Sequence, residues 1–525
     1  MASKRAVDPV WPMDLASERD TAALARLVAR LVEPGMLVTL SGDLGSGKTT
    51  FARALIRDVV GDETLEAPSP SFTLMQVYDT PRFPIVHADL YRIADAAELA
   101  ELGWDEAGEG ALLLVEWAER AGDALPPDRL EVALALAPDL GDTWRRAALI
   151  GYGRYGDLVA RERNAARLLA SAGWAGARRA FMLGDASTRA YERLTKPSGE
   201  TAILMISPPR PDGPPVRYGK PYSAIARLAE DIRPFIAMAD GVAGRGFWAP
   251  KICGADIEAG LAVIEDFGGE GVVAADGAPI KERVMAAAGA LAALHARALP
   301  HELPVAGEVH RIPPYDMDAL LIEVELATEW YAPHVARMGV SSSAAAVFLN
   351  IWKDALAEVV AAAPTWALRD VHSPNLIWLP DREGLRRVGL IDFQDCVLGH
   401  PAYDVASLAQ DARVTVDDEL ELHLLSHYAI QRKRLQPDFD MESFARAYAI
   451  LGAQRATKIL GIFARLDKRD GKPQYLAHMP RVRAYLMKNL RHEALAGVRE
   501  WFENYLPQAL QDEALEVSSR GVPSP

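Results

Sequence analysis

Cysteine is scarce. The 525-residue chain holds two, Cys253 and Cys396, far apart in sequence, which excludes a disulfide framework and predicts a reducing compartment. Long hydrophobic runs are missing as well. No stretch approaches the ~18 apolar residues of a membrane span, and the N-terminus M-A-S-K-R-A-V-D-P-V-W-P lacks the apolar core of a secretion signal. Together these absences predict a cytoplasmic protein with no membrane partner. Positive charge is in short supply: the formal net charge is −15, and residues 1–150 carry 14 Lys and Arg against 25 Asp and Glu, a net of −11. Such an acidic N-terminal part excludes tight, autonomous binding to a nucleic-acid backbone, so any RNA role there is indirect and needs a partner. No internal repeat is evident, and the glycine-rich loop described next does not recur, so the two halves are not duplicates.

Half of the residues are hydrophobic, enough for large cores in two to four domains. Residues 15–33 alternate Ala and Leu with charges at helical spacing, and Glu33-Pro34-Gly35 ends that helix. A short buried strand at 36–40 then runs into Gly42-Asp43-Leu44-Gly45-Ser46-Gly47-Lys48-Thr49-Thr50, and an amphipathic helix follows over 51–60. Strand, G-x-x-x-x-G-K-[ST] loop and helix form a phosphate cradle. Its glycines let backbone N–H groups wrap the phosphates, Lys48 reaches the β/γ oxygens, and the Thr49 hydroxyl ligates Mg²⁺. Further on come Ser69-Pro70-Ser71-Phe72-Thr73, His87-Ala88-Asp89-Leu90-Tyr91-Arg92 and the apolar strand 112–115 ending in Glu116-Trp117. Glu116 would orient water on the metal and Asp89 would supply another metal contact, although a single acidic residue is as readily a cap or a solvated group.

This series resembles the TsaE-type ATPase of bacterial tRNA threonylcarbamoyladenosine (t6A) synthesis, whose marks S-P-T-F-T, H-x-D-L-Y-R and E-W all appear, with Ser71 in place of a threonine. The resemblance implies a small P-loop fold that hydrolyses ATP slowly in support of a threonylcarbamoyl-transferase complex. Its partners are then the protein subunits of that complex, and tRNA is met only indirectly. Two further strands, 130–136 and 144–149, close this domain before a Gly-rich junction at 151–156 and a helix from 157 to 172.

The second chemical centre spans Leu368 to Asp395, A-L-R-D-V-H-S-P-N-L-I-W-L…V-G-L-I-D-F-Q-D. Asp370 would accept the proton of an attacking hydroxyl, while Asn375 and Asp392 offer hard oxygen ligands to Mg²⁺ on nucleotide phosphates. The run 388–391 reads as a buried strand delivering Asp392, with 376–379 as its hairpin partner. Asp or Asn in a turn is otherwise only a cap. Upstream, Gly184-Asp185-Ala186-Ser187-Thr188-Arg189 sits where a loop would cover the phosphates, although the same residues suit any hairpin turn. The strand 261–267 would end at a hinge where the backbone of Glu265 and Phe267 meets adenine. A helix is expected over 225–238, with Glu230 an acid lacking an assigned partner. His295 reads as a packed histidine, and Asp404 as a cap or a brace for the catalytic loop. Gln454, Arg455, Lys458, Arg465, Arg469 and Lys472 form a basic tail that suits either a solvated helical face or a substrate carboxylate.

This part resembles the aminoglycoside phosphotransferase and choline kinase superfamily, with L-R-D-V-H-S-P-N for the usual H-G-D-x-x-x-x-N and Arg369 replacing the glycine. The form R-D-x-H-S-P-N followed by I-D-F-Q-D is closer to the cell-wall-recycling kinases, which phosphorylate the anomeric hydroxyl of N-acetylmuramate and N-acetylglucosamine. Met205 stands where the superfamily's ATP-contacting lysine is expected. The whole chain is thus expected to be an α/β P-loop NTPase domain (1–150) and a linker helix (151–172), followed by an α+β protein-kinase-like two-lobed domain. Its lobes would be 173–267 and 268–508, with a disordered tail at 509–525. ATP and Mg²⁺ are the expected cofactors and an amino sugar the expected substrate. The alternatives are a kinase for an aminoglycoside, choline or another amino sugar, or a pseudokinase scaffold marked by Met205.

Overall fold

The computed structural model describes residues 9–93, 108–182, 189–209 and 213–510. The expected phosphate-covering residues 184–188 and the tail beyond 510 lie outside them. The chain divides into two compact units, Met1–Arg167 and Leu168–Pro525.

In the first unit the strands are β1 (Val10–Leu15), β2 (Leu37–Ser41), β3 (Met75–Tyr78), β4 (Ile85–Asp89), β5 (Leu112–Glu116), β6 (Arg129–Leu136) and β7 (Arg145–Tyr152). They form one sheet in the order β1-β7-β6-β2-β5-β4-β3. Its centre, β6-β2-β5-β4, is parallel and its flanks are antiparallel. Parallel strands must be covered on both faces, and accordingly β2 and β4 are almost wholly buried, residue after residue. Helices α1 (Glu18–Leu31) and α2 (Lys48–Val60) pack the core with Leu24, Val28, Phe51 and Leu55. In the parallel register Asp89 pairs with Glu116, and Leu40 with Glu116. The loops after β2, β4 and β5 therefore gather at one edge. Helix α3 (Gly156–Ser171) carries the chain on.

The second unit opens with β8 (Arg178–Met182), β9 (Ala190–Thr195) and β10 (Thr201–Ile206). A small hairpin follows, β11 (Pro215–Arg217) and β12 (Lys220–Pro221), then the short helix α4 (Tyr222–Ile225), α5 (Arg233–Ala243), β13 (Ile252–Asp256) and β14 (Leu261–Glu265). The antiparallel sheet runs β13-β14-β10-β9-β8. The expected helix over 225–238 is interrupted. Pro234 lacks an N–H and belongs in a first turn, so α5 starts at Arg233, and residues 226–232 take a non-helical path with Arg227 at φ +59.

Helices follow: α6 (Lys281–His295), α7 (Met317–Leu326), which runs on into a π-helical turn at Ala327–Ala336, and α8 (Ser342–Ala361). A hairpin, β15 (Glu302–Val305) with β16 (Glu308–Arg311), lies between α6 and α7. Four three-residue strands come next: β17 (Thr365–Ala367), β18 (Leu376–Trp378), β19 (Val388–Leu390) and β20 (Val397–Gly399). Helices α9 (Ala402–Ala409), α10 (Asp418–Leu435), α11 (Met441–Asp470), α12 (Met479–Asn489) and α13 (Ala496–Tyr505) complete a core built on Trp352, Trp366 and Trp501. Strand β17 pairs with β20, and β18 with β19. The loop between β17 and β18 and the loop between β19 and β20 are thereby pressed together, which sets the position of the second site.

Candidate active sites

In the first unit the chain leaves β2 through Gly42, at φ +130, where a Cβ would stand 1.9 Å from the Leu134 carbonyl oxygen. Only glycine can make that approach. Gly47, at φ +107, leads directly into α2, whose first amides are free to face phosphate. The Lys48 ammonium is buried, donates to the carbonyls of Gly42 (2.6 Å) and Asp43 (3.0 Å), and lies 3.7 Å from the centre of the Trp117 ring. Burial depresses its pKa, opposed by the carboxylates of Glu116, Glu119, Asp89 and Asp43. The Thr49 hydroxyl donates to Glu116 Oε2 at 2.9 Å, and His87 Nε2 meets Glu116 Oε1 at 3.0 Å. Asp89 stands beside Glu116 but is held elsewhere. Its carboxylate accepts from the hydroxyls of Ser69 and Ser71 and from the Tyr91 amide. The S-P-S segment thus acts as an anchor for Asp89, and among the described residues Glu116 is the carboxylate that meets Thr49. Leu44, Phe72 and Tyr91 are exposed around this edge, Leu44 and Phe72 at 77% and 86%.

In the second unit Asp370, Asn375 and Asp392 line one small enclosed cavity together with Phe393. Their convergence follows from the hairpin register: Leu376 pairs with Leu390, and the Ile391 amide donates to the Asn375 carbonyl. The Asn375 amide nitrogen donates to the Asp370 carbonyl (2.9 Å) and lies 3.4 Å from Asp392 Oδ2. That nitrogen faces the Asp370 carbonyl and the Asp392 carboxylate, so the amide oxygen is the atom of Asn375 left to serve a cation. One carboxylate and one amide oxygen suit Mg²⁺, which takes its remaining ligands from phosphates and water. Asp370 is different. Burial would raise its pKa, but His372, Lys458, Arg369 and Arg455 outweigh that and hold the carboxylate ionised. Among the described residues no hydrogen-bond donor meets it, so it is left free to accept one from a substrate.

Two arginines make the long connections. Arg189, the described end of the predicted phosphate-covering segment, reaches Asp392 Oδ1 at 2.6 Å, and Gln394 Nε2 reaches the same oxygen at 2.9 Å. Met205 is fully buried in β10, opposite Tyr191. Arg189 therefore brings a positive charge to Asp392, while Met205 brings none. Arg369 is buried at φ +70, a backbone state that favours the glycine usual at this point. Its guanidinium pairs with buried Glu323 and donates to the carbonyls of Ala226 (3.0 Å) and Arg227 (3.4 Å). The strain is offset by a clamp that ties the catalytic loop to the irregular 226–232 path. Ala229 in that path donates to Asp395 at 2.7 Å. Asp404 braces the loop from below, accepting from the amides of Leu368 and Arg369, both at 2.8 Å, and His295 is packed between Tyr428 and Asp404.

Other predicted residues have structural partners. Glu230 accepts from Ser223 at 2.9 Å and is not part of the cavity around Asp370. Glu265 ends β14 and accepts from the Lys251 amide, while the Phe267 ring packs where a Cβ on Gly389 would come within 2.8 Å of it. The first part of the basic tail is not a solvated face, whereas Arg469 near its end is exposed. Gln454 and Arg455 are buried and Lys458 is bonded to Glu323 at 2.8 Å. Glu323, Asp411 and the pairing of His372 with Arg413 escaped the sequence reading. Only the arginine at 369 signalled that a buried acid must exist somewhere to receive it.

The comparisons with known proteins agree with two joined modules. Residues 15–141 match the family model "Threonylcarbamoyl adenosine biosynthesis protein TsaE", and residues 180–444 match that of the "Phosphotransferase enzyme family". The N-acetylmuramate/N-acetylglucosamine kinase of Caulobacter vibrioides is 39% identical over 361 residues, covering 66% of this chain and 97% of that protein. The tRNA threonylcarbamoyladenosine biosynthesis protein TsaE of Rickettsia typhi is 44% identical over 122 residues, 23% of this chain and 84% of that protein. Among solved structures, choline kinase LicA from Streptococcus pneumoniae is 18% identical with a TM-score of 0.38, covering 61% of this chain and 94% of that one. The chain belongs to the phosphotransferase enzyme family, and its first unit to the TsaE family. It is an ATP-using phosphotransferase joined to a P-loop ATPase. No helix among the described residues is long and apolar enough to cross a membrane.

Proposed function

We propose that the second unit transfers the γ-phosphoryl group of ATP to the anomeric hydroxyl of N-acetylmuramate or N-acetylglucosamine, and that the first unit is an ATPase supporting t6A formation. The reading of the second unit rests on one observation above all. An ionised Asp370 without a hydrogen-bond donor shares a cavity with Asn375 and Asp392. ATP lies between the β8–β10/β13–β14 sheet and the helical part, with adenine at the 265–267 backbone. Asp370 aligns the sugar hydroxyl and takes its proton as the oxygen attacks phosphorus and the bond to the β-phosphate oxygen breaks. Asn375 and Asp392 hold Mg²⁺, which when bound neutralises charge on the phosphate oxygens. Arg189 stands in for the absent lysine.

In the first unit Lys48, Thr49 and Glu116 serve a separate nucleotide, with Asp89 fixing the S-P-S segment beside it. The exposed apolar rim of Leu44, Phe72 and Tyr91 favours a protein partner at this edge, in line with its acidic balance. Met205 favours a second reading, a scaffold without transfer activity. Incubating wild type and Asp370→Asn with ATP, Mg²⁺ and each sugar decides between them. Anomeric phosphate from wild type alone supports transfer, whereas no phosphate on either sugar with ATP still bound supports the scaffold.

A further inference from the structure

Helix α11 presents Gln454, Lys458, Gly461 and Arg465 along one face, at spacings of four, three and four residues. Three of the four are committed to α7. Gln454 donates to Glu323 (3.0 Å) and to the Leu320 carbonyl (3.2 Å), and Lys458 pairs with Glu323. Gly461 lies so close to α7 that a Cβ would stand 2.4 Å from the Leu326 backbone. Arg465, the fourth, has no such commitment. Its guanidinium lies 4.8 Å from the centre of the Tyr222 ring. Its Nε is shut off from solvent without an acceptor, and among the described residues no carboxylate lies within ion-pair distance. Neighbouring cations are already paired: Arg455 with the Gln410 carbonyl, Lys468 with Asp467, Arg469 with Asp470 and Arg217 with Glu325. Glu329 and Asp470 feel its charge but neither forms an ion pair with it. A partly buried guanidinium over an aromatic ring, with no ion-paired acid among the described residues, has its fork open to a carboxylate from elsewhere.

Two paths bring Arg465 to the catalytic loop. Along α11 it stands seven residues beyond Lys458, roughly 10 Å of helix. Through α4, Tyr222 leads to the carbonyls of Ala226 and Arg227, which Arg369 grips next to Asp370. Resting on the sugar-kinase reading above, we infer that Arg465 binds the carboxylate of the acceptor sugar. N-acetylmuramate carries that group as an ether on the ring whose anomeric hydroxyl faces Asp370, and N-acetylglucosamine lacks it. Arg465 is then a specificity residue for the acidic sugar and leaves transfer itself to Asp370.

The test is initial-rate kinetics on the full chain with both sugars, for wild type, Arg465→Gln and Arg465→Lys, with melting curves as a check on folding. Arg465→Gln is expected to raise KM for N-acetylmuramate by about 10- to 100-fold, the loss of one charged hydrogen-bonded contact, with kcat and both constants for N-acetylglucosamine within about twofold. Arg465→Lys keeps the charge but not the fork, so its KM for N-acetylmuramate falls between the two. Should Arg465→Gln fail to fold, the lysine variant must still show a rise confined to the acidic sugar. Equal losses on both sugars, or no loss on either, overturn the assignment while leaving the kinase reading intact. A wild type that phosphorylates neither sugar overturns both.

Discussion

The two nucleotide-site candidates are built on opposite plans. In the first unit the cradle is nine consecutive residues, Gly42 to Thr50, whose donors are largely backbone amides; the side chains added to it, Glu116 and Trp117, come from the last residue of one parallel neighbour strand and the residue after it. In the second the working groups are side chains drawn from distant parts of the chain. Arg189 and Asp392 are 203 residues apart and Arg369 and Glu323 are 46 apart; the second pair is fully buried and the first half-buried at Asp392. A backbone cradle costs little to hold once strand and helix are formed. A constellation of buried charges holds only while every partner is present, because an orphaned charge costs several kcal/mol. The first site should therefore lose function when one side chain is removed and keep its fold, whereas damage to the second should spread.

The largest effect expected on this view is at Asp370, which meets no hydrogen-bond donor among the described residues. Asp370→Asn removes the proton acceptor and should lower kcat of sugar phosphorylation by about 10²- to 10⁴-fold, with ATP binding retained. Phosphate release by the first unit should not change. A loss in both activities would mean that the two centres are not independent. Lys48→Ala is the mirror experiment. ATP hydrolysis by the first unit should fall by about 10²- to 10³-fold, with loss of t6A in a reconstituted reaction and unchanged sugar phosphorylation.

That contrast also explains what could be read from the sequence. The cradle, Glu116 and the Asp370–Asn375–Asp392 set are legible because each is a motif whose spacing carries the chemistry. In the first unit's sheet β2 and β5 are legible as continuous apolar runs and β6 and β7 as further strands, whereas the half-exposed flanking strands β1 and β3 carry no such signal. Pairing across long separations is not. Nothing in the local pattern joins Arg189 to Asp392 or Arg369 to Glu323, because each contact is made between elements that meet only in the folded chain. The stretch 225–238 has helical periodicity, yet tertiary hydrogen bonds from Arg369 and to Asp395 hold its centre open, and Pro234 restarts it. The basic tail looked alike along its length because charge can be counted in a sequence and burial cannot. Lys458 is a structural ion and Arg465 is not.

Arg189→Met sharpens the comparison where the second site departs from its superfamily. If this arginine supplies the charge missing at Met205, the substitution should raise KM for ATP by about 10- to 100-fold, with Arg189→Lys intermediate. Unchanged kinetics would return the question to Met205 and favour the scaffold reading.

The smallest effect, invisible at neutral pH, concerns how the buried charges respond to acid. Burial, with His295 and Arg432 nearby, pushes the His400 pKa from 6.5 down to about 4. Above pH 6.5 neither the folded nor the unfolded chain holds that proton, and no penalty exists. Between 6.5 and 4 only the unfolded chain takes it, so stability is lost as pH falls through this window. At about 1.4 kcal/mol per pKa unit the full cost approaches about 3 kcal/mol near pH 4. His295 and His372 are shifted in the same direction, whereas Asp395 and Glu329 are shifted up and act with the opposite sign. The wild-type pH profile alone therefore mixes several groups, and the difference between wild type and His400→Gln isolates one. Glutamine keeps an acceptor for the Ala402 amide, which His400 Nδ1 receives at 3.2 Å. Urea midpoints of the second unit's transition, measured from pH 7 to pH 4, should coincide at the upper end and diverge downward, with the variant losing less. Parallel curves would mean that water reaches His400 in the folded state, and that the acid sensitivity of this unit lies instead in other buried groups such as His295 and His372.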